Sequence, residues 1–435
     1  MEFGKVDVGD RVSVVLKDHS EEGRLMPSTD SDIIMIKLDN GYNVGFENCD
    51  VLKVELLSKA KHAPKEENVV SKNSKLPTIA ILHTGGTIAS KIDYKTGGVV
   101  AKISANDLVE MVPELAEFCN IESKTIFNMM SEDMSPHEYG VLADAICAEA
   151  SKGVKGIIIG HGTDTLSMSS AVISFMIKIL NIPVVFVGSQ RSSDRGSSDA
   201  AMNLICAAKF IASSDAAGVY LCMHENSDDT SCVILPGTKT RKMHTSRRDA
   251  FKAINSKIVA RVLYPSGEVE ILDNDYVKAD SVKEELELKG GLSSEVALVK
   301  TYTGMKSSVF DYYTDSGYKG MILEGTGIGH APTNSAANEG NYLALKRFID
   351  NGGVVGITSS CLYGTVHEHI YSNTRRLGKI GVVFCSDMFS ETAFMKLMWL
   401  LGNYSAPEAK KMLALNLRGE ISSKLAYSEK FSPDN

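Results

Sequence analysis

Two stretches of this chain combine an apolar run with a hydroxyl-rich ending: Ile79-Ala80-Ile81-Leu82-His83-Thr84-Gly85-Gly86-Thr87-Ile88-Ala89-Ser90 and Gly156-Ile157-Ile158-Ile159-Gly160-His161-Gly162-Thr163-Asp164-Thr165. Each begins with residues for one buried strand and ends in small residues that release threonines. A threonine hydroxyl is a weak nucleophile at neutral pH and needs a base within hydrogen-bond reach. Thr84, Thr87 and Thr163 are internal, so an N-terminal amine is not that base, and no GxSxG elbow exists. An Asp–Lys couple can serve instead, because a carboxylate can position a lysine desolvated in a cleft. Asp164 supplies the acid; the lysine falls in Gly237-Thr238-Lys239-Thr240-Arg241-Lys242-Met243-His244-Thr245, where chemistry alone does not choose between Lys239 and Lys242. Gly85, Gly86 and Gly162 let backbone approach a ligand and offer N–H groups to an oxyanion.

These loops need a scaffold that ends several strands at one edge. After Leu76 strand and helix patterns alternate, which predicts an α/β fold with mainly parallel sheets. Strands are expected at Thr78–Leu82, Lys124–Met129, Gly156–Ile159, Pro183–Val187 and Gly218–Cys222. Ser135-Pro136-His137-Glu138 is a capping box for a helix carrying Tyr139, Leu142, Ile146 and Ala150 inward. Further helices are expected from Thr165 to Leu180, with Met168, Val172, Phe175 and Ile179 buried, and after Asp199, with Leu204, Ala208 and Ile211 inward. Ligands in such sheets lie beyond the carboxyl ends of the strands. Ser131-Glu132-Asp133 and Gln190-Arg191 therefore join the threonine loops there.

The rest of the chain divides by composition. Residues 1–58 are turn-rich, with strand-like runs at Val12–Leu16, Ile33–Leu38 and Tyr42–Phe46 and an Asp39-Asn40-Gly41 turn, and predict a small SH3-like β-barrel. Residues 59–75 read as a linker with lysines at 59, 61, 65, 72 and 75. The larger lobe spans 76–272 and a charged crossover spans 273–295. A smaller lobe follows over 296–435, with strands at Val296–Lys300, Gly320–Leu323, Gly353–Ile357 and Ile380–Phe384 and helices at Ala337–Ile349, Glu391–Leu401 and Pro407–Leu415.

A net charge of −8 and a pI near 5.8 argue against broad nucleic-acid binding by the chain alone. Eight cysteines without CxxC pairs read as buried free thiols in a reducing compartment. With no signal-like start and no membrane-length apolar run, a cytoplasmic protein is expected. No metal site is expected, since His367 and His369 are isolated. Gly325-Thr326-Gly327-Ile328-Gly329 is a poor dinucleotide loop and Cys361 a poor thiol nucleophile.

Thr84-Gly85-Gly86-Thr87-Ile88-Ala89 and His161-Gly162-Thr163-Asp164-Thr165 resemble the two signature motifs of the asparaginase/glutaminase family, and the resemblance extends from about Leu76 to Leu415 through Val187-Gly188-Ser189-Gln190-Arg191 and Lys242 to Phe251. It implies a two-lobed asparaginase-like fold that pairs into homodimers. It implies Thr87 as nucleophile, Thr163 and Asp164 as its partners, and Lys242, nine residues before Phe251, as the family lysine. It further implies Tyr94 as a lid residue, Ser131 and Glu132 beside the substrate α-carboxylate, Asp164 on its α-amino group, and Gly86 and Gly162 at the oxyanion. Glu132, the N-terminal unit, Arg241–Phe251 and Met398-Trp399-Leu400-Leu401-Gly402 resemble one branch, the D-type amidase subunits of archaeal glutamyl-tRNA(Gln) amidotransferases. That branch implies ammonia release from glutamine or asparagine for an E-type partner subunit, two of each, acting on tRNA(Gln)-bound glutamate. ATP and Mg belong to the partner's reaction, and no cofactor is expected on this chain. The Tyr371-Ser372-Asn373-Thr374-Arg375-Arg376 segment departs from the family's Tyr-x-x-Gly-Arg pattern. The alternatives are a stand-alone cytoplasmic L-asparaginase and a non-catalytic docking or amino-acid-sensing module.

Overall fold

The computed structural model describes residues 6–7, 9–26, 32–38, 43–59, 73–85, 91–92, 99–100, 112–191, 198–282 and 285–424; Gly86, Thr87 and Tyr94 lie outside them. At the N-terminus β1 (Arg11–Leu16), β2 (Ser20–Met26), β3 (Ile33–Lys37), β4 (Asn43–Glu47) and β5 (Val51–Ser58) form an antiparallel sheet in the order β4-β3-β2-β1-β5. Val12, Val14, Ile36, Val51 and Val54 make its core. The sequence reading misses β2, whose first five residues are polar or glycine, and β5, where Lys53 and Glu55 interrupt the apolar positions. The described strands of this small N-terminal unit form one five-stranded antiparallel sheet, and among the described residues no ladder joins β4 to β5.

The larger lobe is built on β6 (Thr78–His83), β9 (Asn120–Thr125), β10 (Gly156–Gly160), β11 (Pro183–Val187) and β12 (Gly218–His224), parallel in the order β9-β6-β10-β11-β12. Beyond β12 the sheet continues antiparallel through β13 (Ser231–Pro236), β16 (Ala260–Leu263) and β17 (Val269–Ile271), an extension the alternating pattern does not foretell. Two hairpins stand apart from this sheet: β7 (Lys91–Ile92) with β8 (Val99–Val100), and β14 (Thr240–Lys242) with β15 (Phe251–Ala253). The central strands are apolar throughout because both faces are covered. Ala80, Leu82, Ile157 and Ile159 pack under α1 (Pro136–Ala150) and α2 (Leu166–Met176). Ile79, Ile81 and Ile158 pack under α3 (Ala200–Ser213). The chain leaves β6 for β9 on one side and returns to β10 on the other, so the order reverses between β6 and β10. That reversal opens a crevice at the carboxyl ends of the two strands bearing the threonine loops.

The smaller lobe has β18 (Val296–Lys300), β19 (Gly320–Gly325), β20 (Val354–Ser359) and β21 (Val383–Phe384), all parallel, with α4 (Ser308–Asp315), α5 (Glu339–Asp350), α6 (Ser372–Ile380), α7 (Ser390–Asn403) and α8 (Ala406–Leu413). Helix α7 joins the lobes: Trp399 stacks on Phe175 of α2 with ring centroids 5.9 Å apart.

Several boundaries differ from the sequence reading. The strand expected at Lys124–Met129 is β9 at Asn120–Thr125, a polar edge strand, while the apolar residues after it lie in the loop toward Ser131. Helix α2 stops at Met176 rather than Leu180 because the crossover takes over: Lys178 N–H donates to Glu287 O at 2.8 Å and Ile177 bridges Leu288. Ile179 is consequently only half-buried. The strand expected to start at Ile380 begins at Val383, and Ser372–Ile380 is helical, burying only Thr374 and Leu377. Helix α4 is likewise absent from the sequence reading, since Phe310 is its sole buried residue. All eight cysteines are free; five are buried, but Cys49 and Cys361 are exposed and Cys147 lies between. No helix among the described residues is long and apolar enough to cross a membrane.

Candidate active site

The crevice between β6 and β10 gathers four loops. Thr84 follows β6 and is held to the neighbouring strand: its N–H and its hydroxyl both donate to Gly160 O, at 2.9 and 3.1 Å. With its hydroxyl committed to Gly160 O and the residue 2% exposed, Thr84 fastens the loop to β10. Gly85 has φ +115°, and a Cβ there would stand 2.3 Å from Met129 O, so the turn requires glycine.

After β10 comes His161, whose backbone N–H donates to Val187 O at 2.9 Å. Its imidazole is buried, with Nδ1 2.7 Å from Gly162 O and Nε2 3.0 Å from Met134 Sδ. Burial, opposed by the Gly162 carbonyl, lowers its pKa to about 4, so it is neutral at pH 7. Its ring braces the loop between Gly162 and Met134.

Thr163 and Asp164 follow, and here the two candidate lysines separate. Lys242, at the end of β14, places Nζ 2.9 Å from Thr163 Oγ1 and 2.8 Å from Asp164 Oδ1. Its side chain is 13% exposed and that of Asp164 is 69% exposed, so the couple opens to solvent from the acid side. Lys239 instead pairs with Asp387 of the smaller lobe and donates to Ser422 Oγ at 2.8 Å and Asn255 O at 3.2 Å. Burial lowers its pKa, with Asp387 opposing that shift. Geometry thus assigns the Thr163–Asp164 partner to Lys242 and an inter-lobe bond to Lys239.

The loop after β9 brings Ser131 and Glu132 to the same crevice. Ser131 is buried and its Oγ donates to Glu132 Oε2 at 3.4 Å, while Glu132 is exposed. Thr165, which the sequence reading uses only as a helix start, donates its hydroxyl to Ser131 O at 2.7 Å and so ties the two loops together. Gly162 fits between them: a Cβ there would lie 2.8 Å from Ser131 Cβ and 2.9 Å from its Oγ.

The loop after β11 closes the group. A Cβ on Gly188 would meet Thr163 Cγ2 at 2.7 Å, so this backbone presses directly on Thr163. The Thr163 hydroxyl donates to Gln190 Oε1 at 3.5 Å. Asp199, fully buried before α3, accepts from Ser189 Oγ at 2.9 Å, Gln190 N–H at 3.0 Å, Arg191 N–H at 2.9 Å and Asn203 Nδ2 at 3.1 Å. Asp199 and Asn203 are the residues the sequence reading overlooks here; a buried acid at a helix start looks like an ordinary cap.

Outside the crevice, Tyr371 precedes α6 and packs against His330 with ring centroids 5.1 Å apart. Arg376 pairs with Glu339 at 2.6 Å and lies 3.8 Å over the Tyr342 ring. Among the described residues the only cluster of possible metal ligands is the exposed group Glu47, Cys49 and Asp50, far in sequence from the crevice.

Together these residues provide a hydroxyl with an amine on one side and an amide on the other, a carboxylate orienting the amine, and a serine–glutamate pair across the gap. Such a set can move a proton off a hydroxyl and hold a small zwitterion.

Three family models match the chain: "GatD N-terminal domain" over residues 6–57, "Asparaginase, N-terminal" over 78–276 and "Glutaminase/Asparaginase C-terminal domain" over 295–413. The D subunit of the Pyrococcus furiosus glutamyl-tRNA(Gln) amidotransferase is 45% identical over 426 residues, covering 96% of this chain and 95% of its own. That of Methanococcus maripaludis is 43% identical over 419 residues, covering 96% and 98%. Among solved structures, the thermostable L-asparaginase from Thermococcus kodakarensis superposes with a TM-score of 0.71 at 30% identity, covering 80% of this chain and all of that one. L-asparaginase I from Vibrio cholerae gives 0.68 at 26% identity, with 80% and 99% covered.

Proposed function

This chain belongs to the family of glutamyl-tRNA(Gln) amidotransferase D subunits, and from that membership we propose that it is the ammonia-generating amidase of such an enzyme. It hydrolyses the side-chain amide of glutamine or asparagine, and a partner subunit of the E type uses the ammonia and ATP to convert Glu-tRNA(Gln) to Gln-tRNA(Gln). Two copies of each subunit assemble around a homodimer of this chain, in the cytoplasm. ATP and Mg act in the partner, and this chain binds no cofactor.

The reading rests above all on Lys242 Nζ standing within 2.9 Å of Thr163 Oγ1 and 2.8 Å of Asp164 Oδ1. Lys242 serves as the base that takes a proton from a threonine hydroxyl, and Asp164 orients it. Thr87, the second threonine of the first motif, attacks the amide carbon with Thr163 as its relay. The carbonyl π electrons move to oxygen, where N–H groups of the Gly86 and Gly162 loops receive them. Collapse expels ammonia after the leaving nitrogen takes a proton, and water then clears the acyl-threonine. Ser131 and Glu132 hold the substrate α-carboxylate end, Asp164 its α-amino group, and Tyr94 closes over it.

The deciding experiment is co-purification with the partner, then ammonia release from glutamine and asparagine with and without partner and Glu-tRNA(Gln). Release that rises strongly with both additions supports the reading. Equal rates throughout would instead indicate a stand-alone asparaginase, and no release by any assembly a non-catalytic module.

A further inference from the structure

We propose that Gln190 is a further member of the reaction centre, its side-chain amide first accepting the Thr163 hydroxyl proton and then, after a half-turn, donating to Thr163 Oγ1 as that proton leaves. The proposal rests on the reading of Thr163 and Lys242 as a proton relay.

The backbone around Gln190 is fixed. Asp199 accepts from Ser189 Oγ and from the N–H groups of Gln190 and Arg191, and Gly188 abuts Thr163 so closely that no side chain fits between. What remains free is the terminal amide, whose last torsion is broad and roughly two-fold. The Thr163 oxygen has one hydrogen to give and two lone pairs to offer. Lys242 Nζ takes a lone pair at 2.9 Å, and the hydrogen goes to Gln190 Oε1 at 3.5 Å. In this arrangement the proton points away from the amine that must receive it. The other end of the same amide, Gln190 Nε2, is buried with no hydrogen-bond partner. A buried unpaired donor is costly, and one placed beside a reacting oxygen calls for an explanation.

The two oddities resolve together. For the relay, the Thr163 O–H bond breaks, an N–H bond forms on the lone pair of the Lys242 amine, and the O–H electron pair stays on Oγ1. An amide oxygen then faces a lone pair and repels it. Turning the amide brings Nε2 to Oγ1, pairs the orphan donor and stabilises the developing negative charge. One residue thus holds the hydroxyl at rest and supports it in reaction.

The test uses the enzyme assembled with its partner and Glu-tRNA(Gln), measuring kcat and KM for ammonia release across pH. Gln190→Leu removes both ends of the amide, and Gln190→Glu keeps an acceptor but no donor. Expected are a kcat loss of about tenfold or more in Gln190→Leu, a larger loss of about 10²-fold in Gln190→Glu, KM within about threefold of wild type, and an unchanged Tm. Wild-type kcat in either variant, or a loss carried by KM alone, overturns the proposal. A Gln190→Leu protein that fails to fold leaves the isosteric Gln190→Glu to decide. Absence of ammonia release by the wild-type assembly would overturn the proposed function itself, whereas an active wild type with unaffected variants overturns only the role of Gln190.

Discussion

The ammonium of Lys239 and the carboxylate of Asp387 form an ion pair between the two lobes, with only 3% and 1% of their side chains exposed. Asp387 also accepts from Ser422 N–H at 3.0 Å, and its own carbonyl accepts from Asn255 Nδ2 at 3.0 Å. Removing one partner of a buried pair strands the other charge, at about 3–5 kcal/mol. Asp387→Ala should therefore lower unfolding free energy in urea by that amount. The double variant Lys239→Met/Asp387→Leu should recover most of it, and strictly additive losses would reject the pairing.

Lys242 should behave in the opposite way, although it lies only three positions further on. Its partner Asp164 is 69% exposed, and pairs open to water contribute about 1 kcal/mol or less. Lys242→Met should reduce ammonia release by about 10²–10⁴-fold with Tm nearly unchanged. A Lys242→Met enzyme that keeps its rate and loses its fold would exchange the roles of the two lysines.

Gly162 is expected to be intolerant for reasons of space alone. No positive φ is involved; an added Cβ would stand 2.8 Å from Ser131 Cβ. Gly162→Ala must displace either Ser131 or Thr163, and misplacement by about 1 Å costs about 10²-fold in rate. The loss should appear in kcat/KM with a stability change of about 1–3 kcal/mol from overpacking. Near-normal kinetics would show that the two loops yield independently.

Two buried histidines set an acid limit on stability. Burial lowers the pKa of His83 and of His161 to about 4, from 6.5. Below pH 6.5 the unfolded chain binds protons that these folded imidazoles refuse. Their contribution is thus complete above pH 6.5, is lost as pH falls from 6.5 to about 4, and changes no further below that. Each histidine contributes on the order of 3 kcal/mol across that window. Tm measured against pH should drop there, and the drop should shrink in His161→Gln; a flat profile would refute it.

The larger lobe was legible where strands are buried on both faces. Ile79–Leu82 and Ile157–Ile159 are short continuous apolar runs followed by glycine-bearing turns, the pattern of a central parallel strand. Edge elements were less so: Asn120–Thr125 carries Glu122, Ser123 and Lys124, and the apolar Ile126-Phe127 beside it drew the boundary forward. Helix Ser372–Ile380 hides because two buried residues suffice to seat it. Within the site, Thr163, Asp164 and Ser131 could be named from sequence because they end strands of one sheet. The choice of Lys242 over Lys239 needed either family resemblance or coordinates, since both lysines follow the same strand and their alkyl stems are alike. Asp199 reads only as a helix start and Asn203 is not singled out, because their importance lies in what they hold and not in their residue types.

The short stretch Leu417–Ser422 is threaded between the lobes. Arg418 Nε donates to Ser174 O of α2 at 2.9 Å, Glu420 pairs with Lys396 of α7 with both side chains fully buried, and Ser422 reaches Asp387 and Lys239. Ser422 by itself touches Asp387 of the smaller lobe and Lys239 of the larger. This stretch is therefore a staple across the lobe boundary: cutting the chain before Leu417 would deprive Lys396 of Glu420 and the Lys239–Asp387 pair of Ser422, while leaving every motif residue in place.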